Sequence, residues 1–419
     1  VATVYNEFME NSTIKKFNVK NLTQDQEMQL AGIEKFIQRQ LVATDDQPAV
    51  AVINGKAGTG KSVVLTELFK RLQNSARQNV GPYQGTHNIF TVNHPELLKV
   101  YQELASTEPN LRKKDYQRPT SIINAAHKNG TKYDVVLVDE GHLLLSKSEP
   151  YIKFYQDNQL TELMKIAKVV VVVFDFEQVM QSKAYWSHAL LDEVTAHAKR
   201  QDFDLDLQYR VQANPAILNW LDAFGEGKLL PLPDDLGDYD LRIFDRAAAM
   251  FDVIKKRDHE VGLSRMVATS GFKRLPNGQH HVYMDDFDLP WDEYDPQKTP
   301  WAERPESINQ VGSIYTIQGF DLNYAGVILG PPFEYDASTN HMVVNTADVT
   351  HREIYKKTPR LTDPAAIAKM QADVMYHAAC ILVTRGVKGL YLTAADDGLR
   401  QALLTLQTEW EQRNAKMDD

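Results

Sequence analysis

The residues Gly55-Lys56-Ala57-Gly58-Thr59-Gly60-Lys61-Ser62 fit the pattern G-x-x-x-x-G-K-[ST] in full. That spacing suits the wrapping of a phosphate. Glycines let the backbone turn tightly and point its N–H groups inward. A helix beginning where the loop ends adds partial positive charge at the same place. Lys61 is then placed to reach β- and γ-phosphates, and the Ser62 hydroxyl to ligate Mg²⁺. The expected ligands are ATP and Mg²⁺, cradled by Gly55, Ala57, Gly58, Thr59, Gly60, Lys61 and Ser62. A second constellation closes the apolar run Val135-Val136-Leu137-Val138 with Asp139-Glu140-Gly141-His142. At the C-terminal edge of a parallel sheet, where ligands of α/β proteins bind, Asp139 is expected to hold Mg²⁺ through water. Glu140 is expected to polarise the attacking water. Phosphoryl transfer asks mainly for positioning and charge neutralisation, so these few groups suffice. An acidic pair after a strand is often just a solvated strand end; the phosphate loop upstream gives this one its meaning.

Positioning these groups requires strands that end at one edge. Ala49–Asn54 reads as a buried strand, followed by a helix over 62–72 with Leu65, Leu68, Phe69 and Leu72 on one face. Further strands are expected at 88–93, 135–138 and 169–174, with a helix opening at Pro95. Runs rich in β-branched residues, separated by helices, indicate a parallel sheet covered on both faces. The second half repeats the style, with strands expected at 240–244, 265–268, 281–284, 311–315, 324–329 and 389–393. Its helices are expected at 214–224, 245–256, 364–384 and 398–413. The stretch 273–309, rich in Pro, Asp and Trp, reads as a long irregular insertion.

A chain of 419 residues exceeds one ordinary core, so two domains are expected. The Gly- and Pro-rich stretch 225–237 is a linker by composition, but the motif order sets the division at 1–200 and 201–419. The net charge of −10 argues against a protein that coats duplex DNA, without excluding a basic groove on an acidic surface. One cysteine, Cys380, permits no internal disulfide and fits a reducing, cytoplasmic setting. No apolar run is long enough to cross a membrane. Zinc-spaced Cys/His clusters are absent, and His280-His281 reads as a surface strand feature. A chain starting at Val1 has either lost its initiator methionine or belongs to a longer one.

In their order, the motifs resemble those of superfamily-1 helicases. Asp139-Glu140-x-His142 looks like the second motif. Leu22-Thr23-Gln24-Asp25-Gln26 resembles the adenine-reading glutamine motif, with Gln26 as reader. Asp175-Phe176-Glu177-Gln178 resembles the third motif, Gln208-Tyr209-Arg210 the fourth, Tyr315-Thr316-Ile317-Gln318-Gly319-Phe320-Asp321 the fifth and Val383-Thr384-Arg385-Gly386 the sixth. The runs 311–331 and 382–389 are similar to the bacterial Schlafen-like helicase-domain family. The resemblance implies an α/β protein of two RecA-like P-loop lobes with mostly parallel sheets and ATP in the cleft between them. It implies that Arg210 and Arg385 touch the γ-phosphate, that Gln178 senses it, and that Gln318, Gly319 and Thr316 link nucleotide to strand. It also implies a single-stranded DNA or RNA partner and a separate nuclease-type domain or protein partner. Phe174 departs from the glycine usual before the third-motif Asp, which makes Phe174 and Phe176 candidates for stacking on a base. The large accessory domains that many unwinding enzymes insert are absent or small, with 109–131 and 273–309 as the candidates, which argues against processive duplex unwinding but not against translocation.

For the strand itself, Thr91, Asn93 and His94 are candidates by position, and Trp186, Trp291 and Trp301 would either stack bases or pack a core. Arg112, Lys113, Lys114 and Arg118 form a modest positive face. Two functions fit these residues. One is a nucleic-acid-stimulated ATPase motor. The other is a nucleotide-gated regulatory or sensor ATPase of a defence type, without processive unwinding.

Overall fold

The computed structural model describes residues 22–55, 58–176, 186–205, 214–293, 299–317, 320–350 and 363–415. The chain forms two compact units, Val1–Tyr209 and Arg210–Asp419. The compositional linker at 225–237 falls inside the second.

The first unit is built on six parallel strands: β1 (Ala49–Asn54), β2 (Asn88–Val92), β3 (Tyr116–Gln117), β4 (Tyr133–Asp139), β5 (Ala167–Phe174) and β6 (Lys199–Asp204). Their order across the sheet is β3-β2-β4-β5-β1-β6. The five consecutive valines of β5 are buried on both faces, as a central strand with helices on either side requires. Register matters more than order for the chemistry. Asn54 lies beside Phe174 and Asp204, and Val92 beside Asp139. The strands therefore end together, and whatever follows them emerges on one edge.

The second unit holds a five-stranded parallel sheet of β7 (Asp240–Ile243), β8 (Ser264–Ala268), β11 (Val311–Gly312), β12 (Leu322–Leu329) and β15 (Gly386–Ala394), in the order β11-β8-β12-β15-β7. Two antiparallel hairpins stand outside it: β9 (His281–Met284) with β10 (Phe287–Pro290), and β13 (Phe333–Asp336) with β14 (His341–Val344). The α/β class with mostly parallel sheets is thus observed in both units.

Two expectations fail here for identifiable reasons. The strand expected over 311–315 stops at Gly312, and Ile314–Ile317 is a helical turn. Ser313 causes the switch: its hydroxyl accepts the Tyr315 N–H at 3.0 Å, and its own N–H donates to Thr316 Oγ1 at 2.7 Å, a local arrangement that opens helices. The stretch 273–309 is also not irregular throughout. It contains the β9–β10 hairpin and folds two tryptophans inward. Trp291 and Trp301 are 3 % and 0 % exposed, and the Trp301 indole donates to Gln310 Oε1 at 2.8 Å. Trp186 is equally buried, its indole donating to the Leu144 carbonyl at 2.8 Å. All three are core residues, and none is available to stack on a base.

Candidate nucleotide-binding site

The phosphate loop connects β1 to the helix Lys61–Gln78. Its described glycines are there by necessity. Gly58 and Gly60 have φ of 87° and 82°, the left-handed region that disfavours side chains. A Cβ on Gly55 would stand 2.7 Å from both the Leu205 carbonyl and Thr59 Oγ1. One on Gly60 would collide with the Gln26 side-chain amide. No side chain caps the N-terminus of the helix, so its first N–H groups and its dipole are presented to the loop.

Gln26 is positioned by its own helix. Thr23 Oγ1 accepts the Gln26 N–H at 3.3 Å and Gln26 Oε1 accepts the Thr23 N–H at 3.1 Å, a reciprocal capping box at the start of Gln24–Leu41. The amide nitrogen is left against Gly60. Thus the expected base reader and the phosphate loop are neighbours, and Gln26 is buried.

Four ionisable groups meet at the strand ends. Lys61 is 8 % exposed; its ammonium donates to the Gly55 carbonyl at 2.5 Å and to Asp175 Oδ2 at 3.1 Å. The sheet order explains the second contact. Strand β5 lies between β1 and β4, so the residue after it faces the loop that follows β1. Asp139, at the end of β4, takes a hydrogen bond from Ser62 Oγ at 3.2 Å on Oδ1 and from the Tyr101 hydroxyl at 2.5 Å on Oδ2. Burial pushes the Asp139 carboxyl up to about 6, and the neighbouring Glu140 charge acts in the same direction. Burial likewise drives the Tyr101 hydroxyl well above its usual range, so it acts as a donor.

Glu140 sits at φ 51° and ψ 51°, a left-handed conformation that costs a residue with a side chain about 1 kcal/mol. The strain is enforced by Gly141, where a Cβ would lie 2.5 Å from Val172 and 2.6 Å from the Val173 carbonyl. The turn is pressed against β5, and only glycine fits at its second residue. Buried His142 places Nε2 3.2 Å from Glu140 Oε2. The carboxylate is thereby fixed from behind by its imidazole and from below by its backbone.

These residues suit Mg²⁺ with ATP. Ser62 Oγ donates to Asp139 Oδ1 at 3.2 Å, so the hydroxyl that would ligate Mg²⁺ stands beside the carboxylate that would hold the ion through water. Among the described residues no cluster of three or more His, Cys, Asp or Glu side chains could cage a metal alone. Magnesium commonly binds through one or two protein oxygens plus substrate phosphates.

Sequence reasoning missed two members of this site. Tyr101 reads only as an inward position on the helix Pro95–Leu104, and nothing in the sequence links it to Asp139. Asp175 ends the valine run, and its carboxylate meets Lys61 at 3.1 Å. Phe174 is fully buried, stacked on Phe176 at 5.3 Å and edge-on to Trp186 at 5.2 Å, so it is not a platform for a base. Thr91 and His94 are buried, His94 capping its helix through Nδ1 to the Leu97 N–H, and Asn93 is held between Arg118 and the Leu143 carbonyl. Ala57, Gln178, Arg210, Gln318 and Gly319 lie outside the described residues.

In the second unit Arg385 is 1 % exposed. Its Nε donates to the Ile381 carbonyl at 3.1 Å and its Nη1 to the Phe320 carbonyl at 3.2 Å, while its own carbonyl takes the Leu322 N–H at 2.9 Å. Thr316 bonds Ser313. The fifth- and sixth-motif segments are therefore tied to one another through Arg385.

A phosphate loop at the end of a strand in an all-parallel sheet, facing a strand-end acid pair, defines a P-loop nucleotide-binding protein. The chain belongs to the Schlafen group 3 DNA/RNA helicase-domain family, whose model matches residues 48–396. It is also 36 % identical over 384 residues to an uncharacterized protein of Saccharomyces cerevisiae, covering 85 % of this chain and 84 % of that one. Among solved structures, the Pif1 helicase of Candida albicans is 10 % identical, with 94 % of this chain and 100 % of that chain covered at a TM-score of 0.37. AMPPCP-bound DnaA from Aquifex aeolicus is 10 % identical over 45 % of this chain and 49 % of that one, at a TM-score of 0.24. At scores this low the likenesses support neither a shared mechanism nor a shared substrate. Among the described residues no helix is long and apolar enough to cross a membrane.

Proposed function

We infer that the chain is an ATP-hydrolysing motor that works on a single nucleic-acid strand and is stimulated by it. One observation carries the hydrolytic half of this reading: Ser62 Oγ and Asp139 Oδ1 stand 3.2 Å apart beside a Glu140 held in a strained turn. Ser62 directly and Asp139 through water would hold Mg²⁺, which when bound would neutralise charge on the nucleotide's phosphates. Lys61 binds the same phosphates, moving between them and Asp175. Glu140 orients water and takes its proton, with His142 fixing the carboxylate. Gln26 contacts the base. Arg210, Arg385 and Gln178 answer to the γ-phosphate; for Arg385 that requires its guanidinium to let go of the Phe320 carbonyl. Gln318, Gly319 and Thr316 transmit the change to the strand. The nucleic-acid half of the reading is supported by the family.

The test is steady-state ATP turnover without polymer and with single-stranded DNA, duplex DNA or single-stranded RNA. Stimulation by a single strand is expected, with turnover lost in Lys61→Ala. Glu140→Gln should keep nucleotide binding while hydrolysis falls by about a hundredfold or more. Turnover that no polymer changes would favour the gated sensor. Wild-type turnover in Lys61→Ala would refute the site.

A further inference from the structure

The connection between β4 and the next helix, Gln159–Ile166, runs from 140 to 158, far longer than the about 2–6 residues that such connections usually need. It is also built with unusual care. Its ends are hooked together by Gln159, whose N–H donates to the Leu145 carbonyl at 2.9 Å and whose Oε1 accepts the Leu145 N–H at 2.8 Å. Its outer part is closed by an antiparallel bridge between Glu149 and Phe154. Phe154 plugs into the core at 0 % exposure, and the Asn124 amide holds the Lys153 carbonyl at 3.0 Å. Lys153 itself turns through a left-handed φ of 62°.

What this scaffold displays is two tyrosines. Tyr151 is 93 % exposed and Tyr155 is 68 % exposed. Single exposed apolar residues are ordinary; two phenol rings pushed outward around a buried phenylalanine anchor, on a pinned loop, are a prepared surface. Lys153 is exposed between them, and Lys128, also exposed, follows Asn124 by four residues on the same helical face. The loop begins at the Asp139–Glu140 turn, so it leaves the sheet at the same edge as the nucleotide groups. Acidic Glu149 and Asp157 keep the loop close to neutral, so ring faces and not net charge would dominate its binding.

We propose that Tyr151 and Tyr155 form a stacking platform for unpaired bases of a single DNA or RNA strand, with Lys153 and Lys128 beside its phosphates. This rests on the motor reading above and names where the first unit grips the strand. Base–aromatic stacking is tolerant of sequence because every base has a π-face.

The test is fluorescence anisotropy of labelled oligo-dT and oligo-U with the full chain, alongside strand-stimulated ATP turnover. Tyr151→Ala and Tyr155→Ala should each weaken strand binding by about tenfold, and the double variant by more. The strand concentration for half-maximal turnover should rise while turnover at saturation and basal turnover stay unchanged. Tyr151→Trp should restore binding, which a merely structural role would not predict. Both side chains are exposed, so folding should survive. A double variant that binds both oligonucleotides as the wild type does would overturn the platform and leave the motor standing. A wild type that neither binds nor responds to either strand would overturn both. Loss with oligo-dT alone or oligo-U alone supports the platform and assigns the polymer.

Discussion

The two sheets each bury positive charge, and they differ in how far backbone carbonyls satisfy it. In the first unit Lys61 meets a carboxylate, Asp175, and sits among Ser62, Asp139 and Glu140. In the second, Arg385 donates to the carbonyls of Ile381 and Phe320. Arg265 is held by Asp258, the Ser307 hydroxyl and the carbonyls of Ser264 and Arg304. A lysine ammonium held by a carboxylate can exchange that partner for a phosphate, because both are anions. A guanidinium bonded to backbone carbonyls ties two segments together, and moving it exposes the groups it satisfied. The comparison teaches that the kind of partner, more than the depth of burial, separates a group already poised for a ligand from one, like Arg385, that must first release the segments it fastens.

The largest effect should come from Lys61→Ala. Turnover should vanish, and taking the Lys61 ammonium away from Asp175 should cost about 3 kcal/mol of stability, the low end of the range for breaking a buried ion pair from one side. Adding Asp175→Asn should recover much of the stability in thermal unfolding while turnover stays absent. If the double variant melted no higher than Lys61→Ala, the pair would not be the source of the loss, and the contrast between the units would weaken.

Next is Arg385→Ala. Losing two charge-assisted bonds to buried carbonyls should cost about 3 kcal/mol, read as a lower unfolding temperature. Arg385→Lys should recover only part, because an ammonium cannot reproduce the fork. An Arg385→Lys protein as stable as wild type but without ATP turnover would place Arg385 with Lys61 on the ligand side of the comparison.

How much of this was legible depends on where the signal lies. Strand β1 is read to the residue, and β5, β8 and β12 to within two, because buried parallel strands are continuous apolar runs bounded by breakers. Strand β6, Lys-Arg-Gln-Asp-Phe-Asp, shows no such run: it is an edge strand whose only buried residue is Phe203, and propensity does not find it. The loop glycines, Lys61, Ser62, Asp139 and Glu140 stand in a contiguous pattern, and the structure gathers the first-unit members at one edge. The long-range contacts were not legible. Tyr101 reaches Asp139 across 38 positions, and Asp175 reaches Lys61 across 114; both follow from strand order, which no local pattern encodes. The tryptophans could be read either way because their size and polarity suit a core or a base, and their burial decides for the core.

Tyr101→Phe sharpens the ligand side with a smaller effect. It removes the hydroxyl that holds Asp139 Oδ2 and leaves the ring in its packing against Phe90 and Tyr116. The Mg²⁺ concentration for half-maximal turnover should shift by about tenfold, the equivalent of one hydrogen bond to a charged group, with little change in unfolding temperature. An unchanged Mg²⁺ dependence would mean that Ser62 and the Glu140 N–H orient the carboxylate without it.

The smallest effect is expected from Asp258→Asn, and it tests the fastening side directly. Among the described residues Asp258 is the one carboxylate on Arg265, with Oδ1 2.5 Å from Nη1, but its side chain is 24 % exposed while that of Arg265 is 4 % exposed. Solvent therefore screens much of the attraction. Arg265 also keeps its bonds to Ser307 and to two carbonyls, so the asparagine leaves the guanidinium satisfied. A loss of about 1 kcal/mol follows, or about 2–4 °C in unfolding temperature for a unit of this size. ATP turnover and strand binding should not move. If Asp258→Asn instead changed turnover without changing stability, a buried arginine far in sequence from every nucleotide motif would be acting on the reaction, and partner type would no longer separate the two kinds of charge.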